Sequence, residues 1–224
     1  NILSIQSRLT GKITGPDAFG AKTSGQLEGE FFGTADSDVN GFRLRHAFVK
    51  LDWEQTSLLV GQTWNPMFIT ELVPGTVSFN TGAPFNPFAR NPQIRFSIAI
   101  DKFKFIAAAL AQRDFQSNGP NGFSSSYLRN AVIPNLHGQI QFASDGNIAG
   151  IAVEYKKLTP RLVTTKNVST DESISSFAAS VFFKLDLQPV TIKAQGVYGG
   201  NLADLMMLGG YAVKSIDTTS GIEQ

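Results

Sequence analysis

Only two histidines, His46 and His137, and no cysteine are available for catalysis in the 224 residues. A covalent mechanism needs a nucleophile beside a base, and no G-x-S-x-G segment occurs. The histidines lack metal-type spacing, and the absence of cysteine removes disulfides and thiolate ligands. The residues therefore read as non-enzymatic, with no cofactor and no metal. What remains is charge at every second position. Arg43 and Arg45 alternate with Phe42, Leu44 and Phe48, while Glu28 and Glu30 alternate with Leu27, Gly29 and Phe31. Two readings stay open: a charged wall that orients passing ions, or a structural ladder in which facing opposite charges each stabilise a sheet by about 0.2–1 kcal/mol.

Only β-strands place residues this way, because successive side chains point to opposite faces. A soluble, half-buried sheet alternates too, so one hairpin within Gly41–Phe68 does not separate water from membrane. Repetition does. About ten segments of roughly 9–13 residues carry the pattern, close to the 9–11 residues of a tilted membrane strand and longer than the 5–6 of soluble strands. They begin with Leu3–Ile13, Gln26–Gly33 and the two strands of Gly41–Phe68. Gln93–Asp101, Phe103–Gln112, Leu136–Ala143, Ile148–Lys156, Phe177–Leu187 and Val190–Gly199 follow. The expected fold is all-β, a transmembrane antiparallel β-barrel meander. Its polar rank supplies Arg8, Lys12, Glu28, Glu30, Arg43, Arg45, Arg95, His137 and Lys193 as candidates to line a pore. Phe96, Ile98, Val181 and Phe183 are expected on the lipid side.

The hydrophobic fraction is 42%, yet no apolar run approaches the roughly 18–20 residues of a spanning helix. A barrel escapes that test because only alternate residues meet lipid. The net charge of +1 supplies no global field for nucleic acid. Outer-membrane lipid and lipopolysaccharide are the partners a barrel implies.

The connections add direction. From the third strand on they alternate tight (53–56, 101–102, 144–147, 186–189) and long (65–92, 113–135, 157–172, from 200), as in barrels with short periplasmic turns and long external loops. By parity the first strand descends from outside, which leads us to expect an internal piece of a longer polypeptide. Asp145-Gly146 predicts a two-residue turn with positive φ at both positions. Residues 65–92 lack a period and hold five prolines. They are expected either to fold inward as a constriction, with Asn80, Asn86 and Arg90 touching solutes, or to form a surface cap. Trp53, Trp64, Tyr155 and Tyr198 are candidates for an aromatic girdle at the lipid headgroups. His46 breaks the apolar rank, which a β-bulge would explain. His137 on a wet face is expected to be solvated. Asn201–Met207 reads as one or two helical turns and Tyr211–Val213 as a brief strand.

The blocks SRLTGKITGPDAFGAKTSG, LEGEFFG, NGFRLRHAFVKLDW, LLVGQTWNPMF, FNTGAPFNPFARNPQIR and LTPRLVTTKN resemble outer-membrane porins of Bacteroidetes, which are similar to DcaP-type porins. The resemblance covers most of the chain. It implies a passive diffusion channel, sixteen-stranded and homotrimeric, that prefers small anionic solutes. Arg43, Arg45 and Arg95 suit that preference, whereas Glu28 and Glu30 oppose it. Ten strands fall short of sixteen. The competing function is a plugged barrel that docks other outer-membrane proteins. A barrel-embedded enzyme and a soluble β-sandwich fit the residues less well.

Overall fold

Each of the alternating segments becomes a strand in the computed structural model, which describes residues 7–32, 38, 41–77 and 80–223. The expectations for residues 1–6 lie outside the described residues. The strands are β1 (Arg8–Thr14), β2 (Lys22–Phe31), β3 (Phe42–Asp52), β4 (Thr56–Trp64), β5 (Arg90–Ile100) and β6 (Phe103–Leu110). After a two-residue hairpin, β7 (Asn118–Gly119) and β8 (Gly122–Phe123), and helix α1 (Ser126–Ala131), come β9 (Asn135–Ser144), β10 (Asn147–Leu158), β11 (Ile174–Leu187) and β12 (Val190–Gly199). The ten long strands pair antiparallel in chain order, forming one open sheet edged by β1 and β12.

The two faces are inverted relative to a soluble sheet. Leu27, Val49, Val60, Ile94, Phe96, Ile140, Ile151, Val153 and Val181 stand 42–61% exposed. The opposite face buries Glu30, Arg45, Gln139 and Ser180. A soluble sheet hides its apolar face, whereas a membrane barrel turns that face to lipid. Among the described residues no helix is long and apolar enough to cross a membrane.

Local irregularities follow from particular residues. Glu28 pairs with His46 but Gly29 with Leu44, so Arg45 is the extra residue of a β-bulge. Arg45 and His46 therefore both face inward, as the break in the pattern suggested. The bulge also reverses parity downstream: Val49 joins the outer rank, and Phe48, expected there, shares the face of its partner Gln26. Gln62 donates its amide to the carbonyls of Leu44 and Arg45 at 3.2 and 3.3 Å, satisfying the bulged backbone. Asp145 and Gly146 have φ of 50° and 82°, the predicted turn.

Several boundaries differ from expectation, among them the start of β11, at Ile174 and not Phe177. β2 starts at Lys22 and β5 at Arg90, since Gly-rich and Pro-containing stretches hide the alternation there. Pro92 keeps its place in the ladder because its carbonyl accepts from Ala111 at 2.8 Å. Tyr211–Val213 is not a strand, and the helical turn before it is a short 3-10 segment, Leu202–Leu205.

The sheet curls. Gln195 on β12 donates to the carbonyl of Met67, three residues past the end of β4, at 3.1 Å. β12 is six strand positions from β4, about 29 Å across a flat sheet at ~4.8 Å per strand. Three residues of chain, one carbonyl and one glutamine side chain span at most roughly 22 Å. The inward face is therefore concave.

Candidate functional site: the concave face and its inward loops

The concave face opens with a charge ladder on β1 to β3. The Glu30 carboxylate accepts from three guanidinium groups: Arg8 at 3.0 Å, Arg43 at 2.9 Å and Arg45 at 2.6 Å. Glu28 accepts from Arg45 Nε at 2.7 Å and from the Thr10 hydroxyl at 2.9 Å. Adjacent antiparallel strands bring these residues together because Arg8 lies opposite Glu30 and Thr10 opposite Glu28. Of the expected pore arginines, Arg8, Arg43 and Arg45 are thus largely neutralised by the expected pore acids, and Arg95 is not.

Arg90 extends the ladder. It was expected in the loop as a solute contact, but it begins β5 and is fully buried. Its Nε donates to Asp114 at 2.5 Å, and its Nη1 lies 3.9 Å from Glu30. The Arg90 and Arg45 guanidinium carbons sit 5.2 and 5.5 Å from the Trp64 ring centroid, within cation–π range. Trp64 therefore does not join a lipid girdle. Its ring packs on Phe68, Phe88 and His46 at 4.8–5.3 Å, because the chain turns inward where β4 ends. Trp53 donates its indole N–H to the Phe19 carbonyl at 3.0 Å, tying two short turns together. Tyr155 and Tyr198 are exposed on the apolar face, 40% and 76%.

A second polar cluster joins β9 and β10 to three loops. Asn65 Nδ2 donates to Asn91 at 3.0 Å and lies 3.5 Å from Glu154. Asn135 Nδ2 donates to Glu154 at 3.1 Å and to Asp204 at 3.2 Å. Gln112 donates to Asp204 at 3.0 Å, and Lys156 pairs with the other Asp204 oxygen. Burial pushes the Asp204 carboxyl above the usual carboxylate range, against the pull of Lys156. His137 is not solvated as expected. It is buried, with Nδ1 3.7 Å from Glu154 and Nε2 3.2 Å from Gln139.

Residues 65–77 and 80–89 line this face. Met67, Ile69 and Leu72 pack with Ala152, Ala178 and Phe182 of β10 and β11 and with Leu202 and Leu205. The Phe88 amide donates to the Leu205 carbonyl at 2.8 Å. Apolar side chains on an otherwise polar face give the loop something to bury against. Asn80 is exposed and accepts from the Gly82 amide at 2.8 Å. Asn86 lines a polar cleft of about 870 Å³ between the loop and the inner faces of β11 and β12, together with Lys184, Thr191 and Lys193. Lys12 is exposed, and Arg95 donates to Gln93 at 2.8 Å and to the Trp64 carbonyl.

Several residues escaped the reading of the sequence, namely Asp114, Glu154, Lys156, Phe182 and Asp204, whereas Lys184 falls on the inner rank that the alternation of Phe177–Leu187 gives it. Glu154 and Lys156 fall on the inner rank opposite Val153 and Tyr155, so parity alone could have marked them. Asp114 and Asp204 lie in aperiodic loops and carry no such signal. Among the described residues no group of three His, Cys, Asp or Glu side chains is placed to hold a metal.

No protein-family model matches the chain, and no curated protein does either. Among solved structures, the outer-membrane channel DcaP of Acinetobacter baumannii superimposes with a TM-score of 0.69 at 18% identity, over 88% of this chain and 52% of that one. The chain thus spans about half the length of that channel, and the two share a fold. A loop-deletion variant of OmpT, an outer-membrane protein of Vibrio cholerae, aligns at a TM-score of 0.42 with 9% identity, covering 86% of this chain and 72% of that one.

Proposed function

We propose that the chain forms wall and constriction of a bacterial outer-membrane porin that passes small hydrophilic solutes. The observation that carries this reading is the inverted sheet: apolar side chains exposed on the convex side, charge and a folded loop on the concave side. Such a wall is stable when lipid covers the outside and water the inside. Lipid and lipopolysaccharide are its partners, and a homotrimer in a Bacteroidetes membrane is proposed from the sequence blocks quoted above. The 65–89 segment narrows the passage, so it sets the size limit while the remaining polar cleft carries the solute. An anion preference belongs to the same proposal and is supported by the lysines of that cleft rather than by the neutralised arginines.

One observation favours a plugged docking barrel instead: three loops meet in buried contacts across the concave face. Planar-bilayer recordings of the full-length protein separate the two. Steady open-channel current is expected. Silence from protein that is folded by its gel mobility would remove the channel reading in favour of the plug.

A further inference from the structure

The cations of the concave face differ in what holds them; Arg95, for one, meets no carboxylate among the described residues and is held by Gln93 and the Trp64 carbonyl. Arg8, Arg43 and Arg45 share Glu28 and Glu30, and Arg90 holds Asp114. A carboxylate already bound there competes with any passing anion at contact distance, and a solute gains little from a cation so neutralised.

Lys184 and Lys193 are different. They lie directly opposite one another on β11 and β12, and like charges so placed destabilise a sheet. Neither forms an ion pair among the described residues. Lys193 donates to the Val73 carbonyl at 2.8 Å, which fixes its ammonium at the mouth of the cleft without neutralising it. The acid two positions along β11, Asp186, is held at the turn by Gln188 and Thr191 at 3.2 and 3.4 Å. The cleft is polar and about 870 Å³, and Asn86 from the inward loop lines it together with the two lysines. Two uncompensated cations and one carboxamide around a polar space are the complement of a compact anion.

We infer that Lys184, Lys193 and Asn86 form an anion-binding station, where a chloride, carboxylate or phosphate group pauses between the inward loop and the β11–β12 wall. The inference rests on the channel reading above and assigns its charge selectivity to this lysine pair instead of the arginine ladder. The repulsion between the two ammonium groups is relieved when an anion sits between them, so occupancy and selectivity share one cause.

The test uses full-length protein in planar bilayers under a potassium chloride gradient, with inorganic phosphate as the second probe. The double variant Lys184→Gln/Lys193→Gln is expected to lower the chloride-to-potassium permeability ratio several-fold and to abolish current interruption by phosphate. Lys184→Arg/Lys193→Arg is expected to restore both, which separates loss of charge from misfolding, and Lys22→Gln at the exposed start of β2 is expected to leave both unchanged. A double glutamine variant that conducts with wild-type permeability ratio and phosphate response would overturn the station while leaving the channel reading intact. Wild-type protein that folds but carries no current would overturn both.

Discussion

Replacing Glu30 by glutamine keeps the shape and an acceptor oxygen but removes the charge on which three guanidinium groups converge. Glu30 has a side chain only 3% exposed, and Arg45, which pairs with it from the bulge, only 5%. Removing one partner of a buried ion pair costs about 3–5 kcal/mol, because the surviving charge stays desolvated. With Arg43 left without a carboxylate and Arg8 and Arg45 left to share Glu28, the upper part of that range is expected for Glu30→Gln. Lys22–Asp17 provides the control. Its separation of 2.7 Å is as short as that of the buried pairs, but its side chains are 81% and 57% exposed, and such pairs contribute about 0–1 kcal/mol. The full-length protein would be unfolded in urea in detergent micelles or lipid vesicles, and the folded fraction read from its mobility on an unheated gel. Glu30→Gln should shift the midpoint far more than Lys22→Gln. Equal shifts would refute the claim that burial, not distance, gives the ladder its strength.

Phe182→Ala removes the apolar anchor of the inward loop. It should cost about 3–5 kcal/mol and add current fluctuations in single-channel recordings, and a quiet channel would show that the loop is held elsewhere. Gly61 has φ of 133°, and a Cβ there would lie 2.2 Å from the Ala47 carbonyl oxygen. Gly61→Ala should therefore cost more than about 1 kcal/mol, measured by the same urea assay. Outside the strands, burial pushes the Glu223 carboxyl up, but hydrogen bonds from Arg161 and Tyr211 outweigh it and hold the group below its ordinary value of 4.5. A lowered folded value means that the contribution is complete above the unfolded value and is lost as pH falls through the folded one. Proteolysis of residues 211–223 should accelerate as pH drops below about 4.5 in the native protein, and Glu223→Gln should flatten that dependence.

The meander was legible in the sequence because neighbouring residues of each strand fall on faces of opposite polarity. Val181 must be apolar and Ser180 can be polar, and no other element maintains that difference over so many segments. The bulge was legible too, since His46 in an apolar rank has to be explained by a change of parity. Where one face was ambiguous, the boundaries slipped: Lys22 to Gly25 and Arg90 to Pro92 pair in the ladder through backbone groups that leave no mark in side-chain hydropathy. The 201–207 turn and helix α1 are too short for a period to show.

The site was legible only in part, for a reason particular to a curved sheet. Parity places Arg43, Arg45 and Glu30 on one face, but it does not reveal that Arg8, 22 residues earlier, closes on the same carboxylate. Nor does it show that Trp64 turns inward, because a tryptophan at a strand end suits either a lipid headgroup or a guanidinium. The concave face then selects among its cations. Those near acids on adjacent strands are held in ion pairs, whereas Lys184 and Lys193, which lie opposite one another, have none among the described residues. Which cations of this face are compensated is therefore decided by lateral pairing between strands, a relation between residues far apart in sequence.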